Sequence, residues 1–261
     1  MRMKYLLMME MKPMLAEVKT IAITKPTFIM TEETGARTAE DIIGYCARVS
    51  NPANQTNFNT QDKLLTYLMN EAHWSPFEMV HVVMEVKTTR DISRQLLRHP
   101  TFRFQEFSQR YASVNSNDFV LRECRLQDKK NRQNSIDTDD ANLTKWWEEK
   151  QKEVIVKVSD IYDEALRRGI AKEQARVILP EGNTPSRLYA AASLRSWYHY
   201  CVVRTDDGTQ KEHRHIAGLA WQELVKDFPF LEKIGEVPKK VDNATFWQKA
   251  KQAIKLSFKG R

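Results

Sequence analysis

Apolar and polar positions alternate most cleanly over residues 79–87, with Val80, Val82, Met84 and Val86 on one side and His81, Glu85 and Lys87 on the other. A two-residue period sends successive side chains to opposite faces of an extended chain, so the segment predicts a half-buried β-strand. Upstream, residues 17–30 predict one or two short strands and residues 37–49 a helix, followed by a loop, Ser50–Gln61, rich in Asn, Thr and Pro. Asp62 is placed to cap a helix carrying Leu64, Leu65 and Leu68 on one face, and His73–Glu78 (HWSPFE) turns around Pro76. Thr89 or Asp91 then caps a short helix with Ile92, Leu96 and Leu97 inward. Pro100 disfavours a helical conformation at His99 and ends that helix.

Beyond it, residues 100–112 predict a loop crowded with Arg, Gln and Phe, residues 117–126 a strand, and residues 126–142 a polar surface excursion. The period then lengthens to that of helices. A long amphipathic helix is expected over 143–168, stopping at Gly169, with further helices over 171–179, 185–203 (opening at Pro185), 209–227 and 243–257 (capped by Asn243). No repeat or Gly/Ser linker divides the chain. The pattern predicts one α+β domain over residues 1–261, mainly helical, with a small antiparallel sheet.

Composition narrows the chemistry. The 261 residues are 41% hydrophobic and 10% aromatic, enough for a sizeable core. Gly is scarce, at 8, and neither GxxxxGK[ST] nor GxGxxG occurs, so phosphate has to be held by side chains. Cys46, Cys124 and Cys201 are far apart and form no CxxC pair, which argues against a disulfide framework and a cysteine zinc site. His213 and His215 are two apart and no HExxH occurs, so no metal site is expected. No apolar run approaches the roughly 20 residues needed to span a membrane. The Met-rich opening lacks a signal-peptide core and cleavage site, and a cytoplasmic location is the expectation. The net charge of +7 fits anionic partners without choosing among nucleotides, phosphorylated cofactors and nucleic acid.

The densest polar cluster runs from Gln95 to Tyr111 (QLLRHPTFRFQEFSQRY), with Arg98, His99, Arg103 and Arg110, one acid (Glu106) and one hydroxyl (Ser108). Guanidinium forks suit phosphates and carbonyl edges, and a Ser hydroxyl can complete a phosphate cradle. From charge alone the same segment also reads as a solvated basic loop. A second set lies in the C-terminal half: Arg176, Arg187, and then Arg195, His199 and Arg204 within SLRSWYHYCVVR. Arg195 and His199, four apart, share a helix face, although any one of these arginines is more often a surface residue than a ligand. Cys201 falls on an apolar face and reads as core.

Residues 98–108 resemble a known family. Flavin-dependent thymidylate synthases carry Arg-His-Arg, seven residues, then Ser, and here Arg98, His99 and Pro100 precede TFRFQEF and Ser108. Four more segments are similar to the family's in the same order: CARVS (46–50), HWSPFE (73–78), ARVILP (175–180) and SLRSWYHYCVVR (193–204). The likeness covers roughly residues 40–225 and leaves 126–142 as an insertion and 230–261 as a C-terminal extension. It implies an α+β homotetramer with active sites between subunits. It also implies FAD, dUMP, methylenetetrahydrofolate and NADPH, with the flavin passing the one-carbon unit to uracil and no enzyme cysteine attacking the substrate.

Carried over position by position, the resemblance puts Gln95, Arg98, Glu106, Ser108, Gln109, Arg110 and Arg176 at dUMP. It puts Arg204 against the uracil, where a fixed cation favours the ionised ring; Ser108 and Arg204 are its catalytic candidates. Ser50, His73, Ser75, Glu78, Arg98, His99, Glu106, Ser193, Arg195 and His199 match positions around FAD. Pro100 departs from the signature by removing an arginine, which Arg103 can replace from the loop. Ser193 and His199 stand where asparagines are common, and Gly208 where some members have histidine. Two other readings stay open at this point: a dUMP hydroxymethylase on the same scaffold, and a non-catalytic nucleic-acid-binding protein using Phe102, Phe104 and Phe107 to stack on bases.

Overall fold

The computed structural model describes residues 16–115 and 118–234; the helix expected over 243–257 lies outside them. A four-stranded antiparallel sheet forms the frame. Its strands are β1 (Glu17–Ile23), β2 (His81–Thr89), β3 (Arg103–Glu106) and β6 (Pro185–Ser193), in the order β1-β2-β6-β3. β4 (Arg125–Gln127) and β5 (Ser135–Asp137) make a separate two-stranded hairpin within the polar excursion. The helices are α1 (Phe28–Thr34), α2 (Ala39–Ala47), α3 (Gln61–Asn70), α4 (Arg90–Leu96), α5 (Ala141–Arg167), α6 (Lys172–Ala175), α7 (Leu194–Arg204) and α8 (Lys211–Asp227). This is the expected α+β architecture.

The predicted strand over 79–87 is β2, with Val82, Met84 and Val86 fully buried and His81 exposed. The long helix begins at the Asp140 cap and ends where Gly169 adopts φ +81°, a left-handed conformation that glycine takes without a Cβ penalty. Five expectations are corrected. Residues 28–30, expected as strand, instead open a helix that runs to Thr34, because the Thr27 hydroxyl accepts from the Met30 N–H at 3.2 Å and starts a turn that left-handed Gly35 closes. Thr60, not Asp62, occupies the N-cap of α3, and Asp62 lies in its first turn. Among the described residues of the 117–126 segment, 118–126, strand begins only at Arg125. Residues 103–106, expected as loop, pair with β6 as an edge strand.

The largest correction is at 185–203, expected as one helix. Pro185–Ser193 is instead a strand, paired with β2 over its whole length and with β3 on its other side. Its alanines favour helix as isolated residues, but Ser186, Leu188, Ala190 and Ala192 are buried alternately between two strands, and small side chains let helices pack closely on the sheet. Ser193 then caps α7, its hydroxyl accepting from the Ser196 N–H at 3.2 Å.

This pairing positions the site. β2 and β6 are antiparallel, so α4 leaves β2 beside Pro185 and α7 leaves β6 beside His81. Both helices pack into the core cluster that covers this sheet, α4 through Ile92 and Leu96 and α7 through Leu194, Trp197, Tyr200 and Cys201. A seven-residue helix covers about 10 Å and an eleven-residue helix about 16 Å, close to the ~30 Å of the nine-residue strands beneath. The two helices therefore run toward each other, and their C-terminal ends meet. Trp197 fixes the arrangement: it is fully buried, and its indole N–H donates to the Val82 carbonyl at 3.0 Å.

Candidate active site

At that meeting point the Arg204 Nε donates to His99 Nε2 at 2.9 Å. Burial, reinforced by the Arg204 and His199 charges, pulls the His99 pKa down to about 4, so at neutral pH the ring is uncharged and able to accept. The terminal nitrogens of Arg204 have no protein partner among the described residues. Its planar fork therefore remains available for a second group. His99 stands edge-on to Tyr200 at 5.0 Å and 5.7 Å from Phe102, aromatic walls that limit its movement.

Gln95, one turn before His99, donates from Nε2 to Gln210 Oε1 at 2.7 Å and faces His213 Nδ1 through Oε1 at 3.2 Å. Gln210 in turn donates to Glu212 at 2.9 Å. Glu212 is buried against Arg125 (2.6 Å) and Arg122 (3.4 Å). Burial raises its pKa, but the Arg125 hydrogen bond and the Arg122 charge outweigh that and hold the carboxyl below its ordinary value. Sequence reasoning misses Gln210, Glu212, His213, Tyr200, Arg122 and Arg125 as parts of a site. Of these it draws attention only to His213, through its spacing from His215. Gln210 and Glu212 open α8 within eight residues of the Arg204 end of α7, a proximity that offers a signal.

A second group gathers around the start of the 108–112 turn. Arg110 pairs with Glu173 at 3.3 Å, and Arg176 Nε donates to the Glu173 carbonyl at 3.3 Å. The Ser108 hydroxyl accepts from the Arg110 N–H at 3.4 Å, and Gln109 is buried with its Nε2 unpartnered. Glu106 belongs to the frame: its carboxylate accepts from Ser93 (2.7 Å), Ser186 (2.7 Å) and Arg94 (2.9 Å), tying β3 to α4 and β6.

The third group lies at the start of α7. Arg195 pairs with Glu78 at 2.8 Å, joining α7 to the HWSPFE turn, and His199 is exposed one turn on. His73 and Ser75 are exposed on that turn, with His73 edge-on to Tyr67 at 6.1 Å. Ser193 is instead buried as the helix cap. Ser50 and the Arg98 side chain are exposed and join none of the three groups by a hydrogen bond or ion pair among the described residues. Arg103 bonds its own loop through the Pro100 and Phe102 carbonyls. The thiols carry no nucleophile signal in the places that matter: Cys201 is fully buried and burial pushes its pKa well up, and burial also raises that of Cys46.

The donor set suits a phosphorylated flavin. Arg98, Arg195, His73 and His199 offer cationic or N–H donors at the surface, and Ser50 and Ser75 offer hydroxyls, as a diphosphate requires. The Arg110–Glu173 pair is largely exposed and worth no more than about 1 kcal/mol, so an incoming phosphate can take Arg110 from Glu173.

Comparisons with known proteins agree on one family. The model of the family described as Thy1, thymidylate synthase complementing protein, matches residues 32–230. The "Probable flavin-dependent thymidylate synthase" of Paramecium bursaria Chlorella virus 1 is 45% identical over 215 residues, covering 82% of this chain and 96% of that one. The flavin-dependent thymidylate synthase of Synechocystis sp. PCC 6803 is 49% identical over 213 residues, with the same coverage, 82% and 96%. Among solved structures, a UMP/dUMP methylase, PolB from Streptomyces cacaoi bound with 5-Br dUMP, superposes with a TM-score of 0.68 at 25% identity, covering 84% of this chain and 93% of that one.

Proposed function

Because the chain belongs to the thymidylate synthase complementing protein family, we infer that it is a flavin-dependent enzyme that methylates dUMP to dTMP. The observation that carries this reading onto its own residues is the Arg204–His99 pair. A guanidinium is docked through Nε on a neutral imidazole, at the end of the helix that also carries Arg195 and His199, with its fork open. The finer assignments are FAD as the flavin, methylenetetrahydrofolate as one-carbon donor and NADPH as reductant.

In this reading Ser108, Gln109, Arg110 and Arg176 hold the nucleotide phosphate, supported by the buried amide of Gln109 that lacks a protein partner. Gln95 and Arg98 approach the nucleotide from the end of α4, with Glu106 as the strut that fixes β3 under them. Arg204 lies along the uracil edge, where negative charge grows as ring carbon 5 becomes nucleophilic, and a preorganised cation stabilises that charge. His73, Ser75, Glu78, Arg98, His99, Arg195, His199 and Ser50 hold FAD. Ser193 contributes through its cap of α7 rather than a free hydroxyl. Bound flavin supplies transfer of the one-carbon unit and the reducing hydride. The buried thiols take no part.

The nucleotide group around Glu173 and the flavin group around Glu78 share no hydrogen bond or ion pair among the described residues of one chain. The resemblance to the family supports a homotetramer in which subunits complete each other's sites. The assembly is cytoplasmic on this reading; no described helix is long and apolar enough to cross a membrane.

The deciding experiment is turnover of dUMP with methylenetetrahydrofolate and NADPH, read by mass spectrometry. The purified protein is expected to be yellow, to bind FAD and to yield a methylated product. A hydroxymethyl product would favour the alternative chemistry, and folded protein that does not bind FAD in calorimetry would refute the reading.

The phosphate cradle has its own test. Ser108→Ala and Arg110→Ala are expected to weaken dUMP binding while FAD binding stays near wild type. A hydrogen bond to a charged group contributes about 1.5–3 kcal/mol, so the arginine variant should lose roughly ten- to a hundredfold in affinity. Calorimetric dUMP titrations that are unchanged in both variants would remove these residues from the site.

A further inference from the structure

The hydrogen bonds around Gln95 have a direction, and a buried charge sets it. Glu212 is 4% exposed, and as a carboxylate held below its usual pKa it can only accept. Gln210 must therefore turn its NH₂ toward Glu212 and its carbonyl toward Gln95. Gln95 must then give its NH₂ to Gln210, which leaves its own carbonyl facing His213 Nδ1. That contact is satisfied only if Nδ1 carries the proton. The two ends of a side-chain amide have nearly the same shape, so packing alone does not orient it; the fixed acceptor at Glu212 does.

His213 suits the end of such a chain. It is fully buried, 5.7 Å from the Tyr200 ring, and its Nε2 has no protein partner. Burial and the Arg204 charge lower its pKa to about 3, so the ring stays neutral with a single proton to place. Gln95 is half-buried at the end of α4 and, with both anchors made, keeps one N–H and one carbonyl lone pair for a ligand.

We infer that His213 is a positioning residue: with Glu212 and Gln210 it locks the Gln95 amide in one orientation toward the nucleotide. The inference rests on the dUMP reading above, and its test separates the two. The first measurement needs no substrate. In the full chain labelled with ¹⁵N-histidine, the signal lost in His213→Asn is expected to be a neutral ring protonated at Nδ1. A ring protonated at Nε2 would overturn the directional chain.

The second measurement is dUMP affinity in the flavin-loaded protein. His213→Phe fills the space without a donor and is expected to weaken dUMP about five- to tenfold, the effect of one neutral hydrogen bond. His213→Asn restores an N–H near the Nδ1 position and is expected to stay within about twofold of wild type. FAD content should be unchanged in both. Equal affinities in the two variants, whether both weak or both normal, or a weaker Asn variant, would reduce His213 to a packing residue. Wild-type protein that binds FAD but not dUMP would refute the substrate assignment instead, and the tautomer would still judge the chain.

Discussion

Replacing Arg204 with alanine is expected to lower kcat about 10²-fold or more while FAD remains bound. The magnitude follows from removing one preorganised donor at a site where charge develops in the reaction, a loss of about 2.7–4 kcal/mol in transition-state stabilisation. An interaction stronger in the transition state than in the ground state appears in kcat more than in affinity, so the dUMP dissociation constant should move less. Arg204→Lys keeps the charge but not the fork, and neither docks on His99 through Nε nor spans a planar edge. Partial activity is expected. The competing view is an arginine at a helix C-terminus interacting with the helix dipole, worth about 0.3–1 kcal/mol of stability and nothing in turnover. Steady-state kinetics on flavin-loaded Arg204→Ala decides: a kcat near wild type would end the catalytic assignment.

Glu212→Ala is expected to cost about 3–5 kcal/mol of stability, the usual consequence of removing one partner from a buried ion pair. Arg125 approaches Glu212 at 2.6 Å and Arg122 at 3.4 Å, so the variant leaves Arg125 with Glu123, at 3.3 Å, and Arg122 with Asp91, at 2.7 Å, as their remaining carboxylates. Arg125 already has one terminal nitrogen buried without a partner, which makes it the more vulnerable. At roughly 2–4 °C per kcal/mol for a chain of this size, the melting temperature should fall by about 6–20 °C. Glu212→Gln keeps the shape and an acceptor and should lose less. Because the folded-state pKa of Glu212 is lowered, its contribution is present above the ordinary carboxylate range. It is lost as pH falls through the folded value, so the gap between wild type and Glu212→Gln should narrow in acid. Melting curves that coincide for wild type and Glu212→Ala would show that the network contributes nothing net.

The candidate residues of the site came from two signals in the chain. Ser108, Arg110, Arg176, Arg195 and Arg204 stand out because a chain short of glycine has to hold phosphate with side chains, and because their spacing resembles one family's at five separate segments. The strand over 81–89 and the helices α2, α5 and α8 were equally plain, since each buries one face against water and the apolar period records which face.

Tertiary structure decided what depends on a neighbour. Ala190 and Ala191 form a strand because β2 and β3 supply backbone partners on either side, overriding a local preference for helix. Glu106 and Ser193, read as ligand contacts, are held within the fold by Ser93, Ser186 and Arg94 and by the start of α7. The order Glu212, Gln210, Gln95, His213 connects residues more than 100 positions apart and has no periodicity to announce it. Sequence determines which side chains are available and which face of each element is apolar, because both are local properties. Which donor meets which acceptor is set only when two strands and the helices leaving their opposite ends are packed together, because a hydrogen bond is a property of a pair.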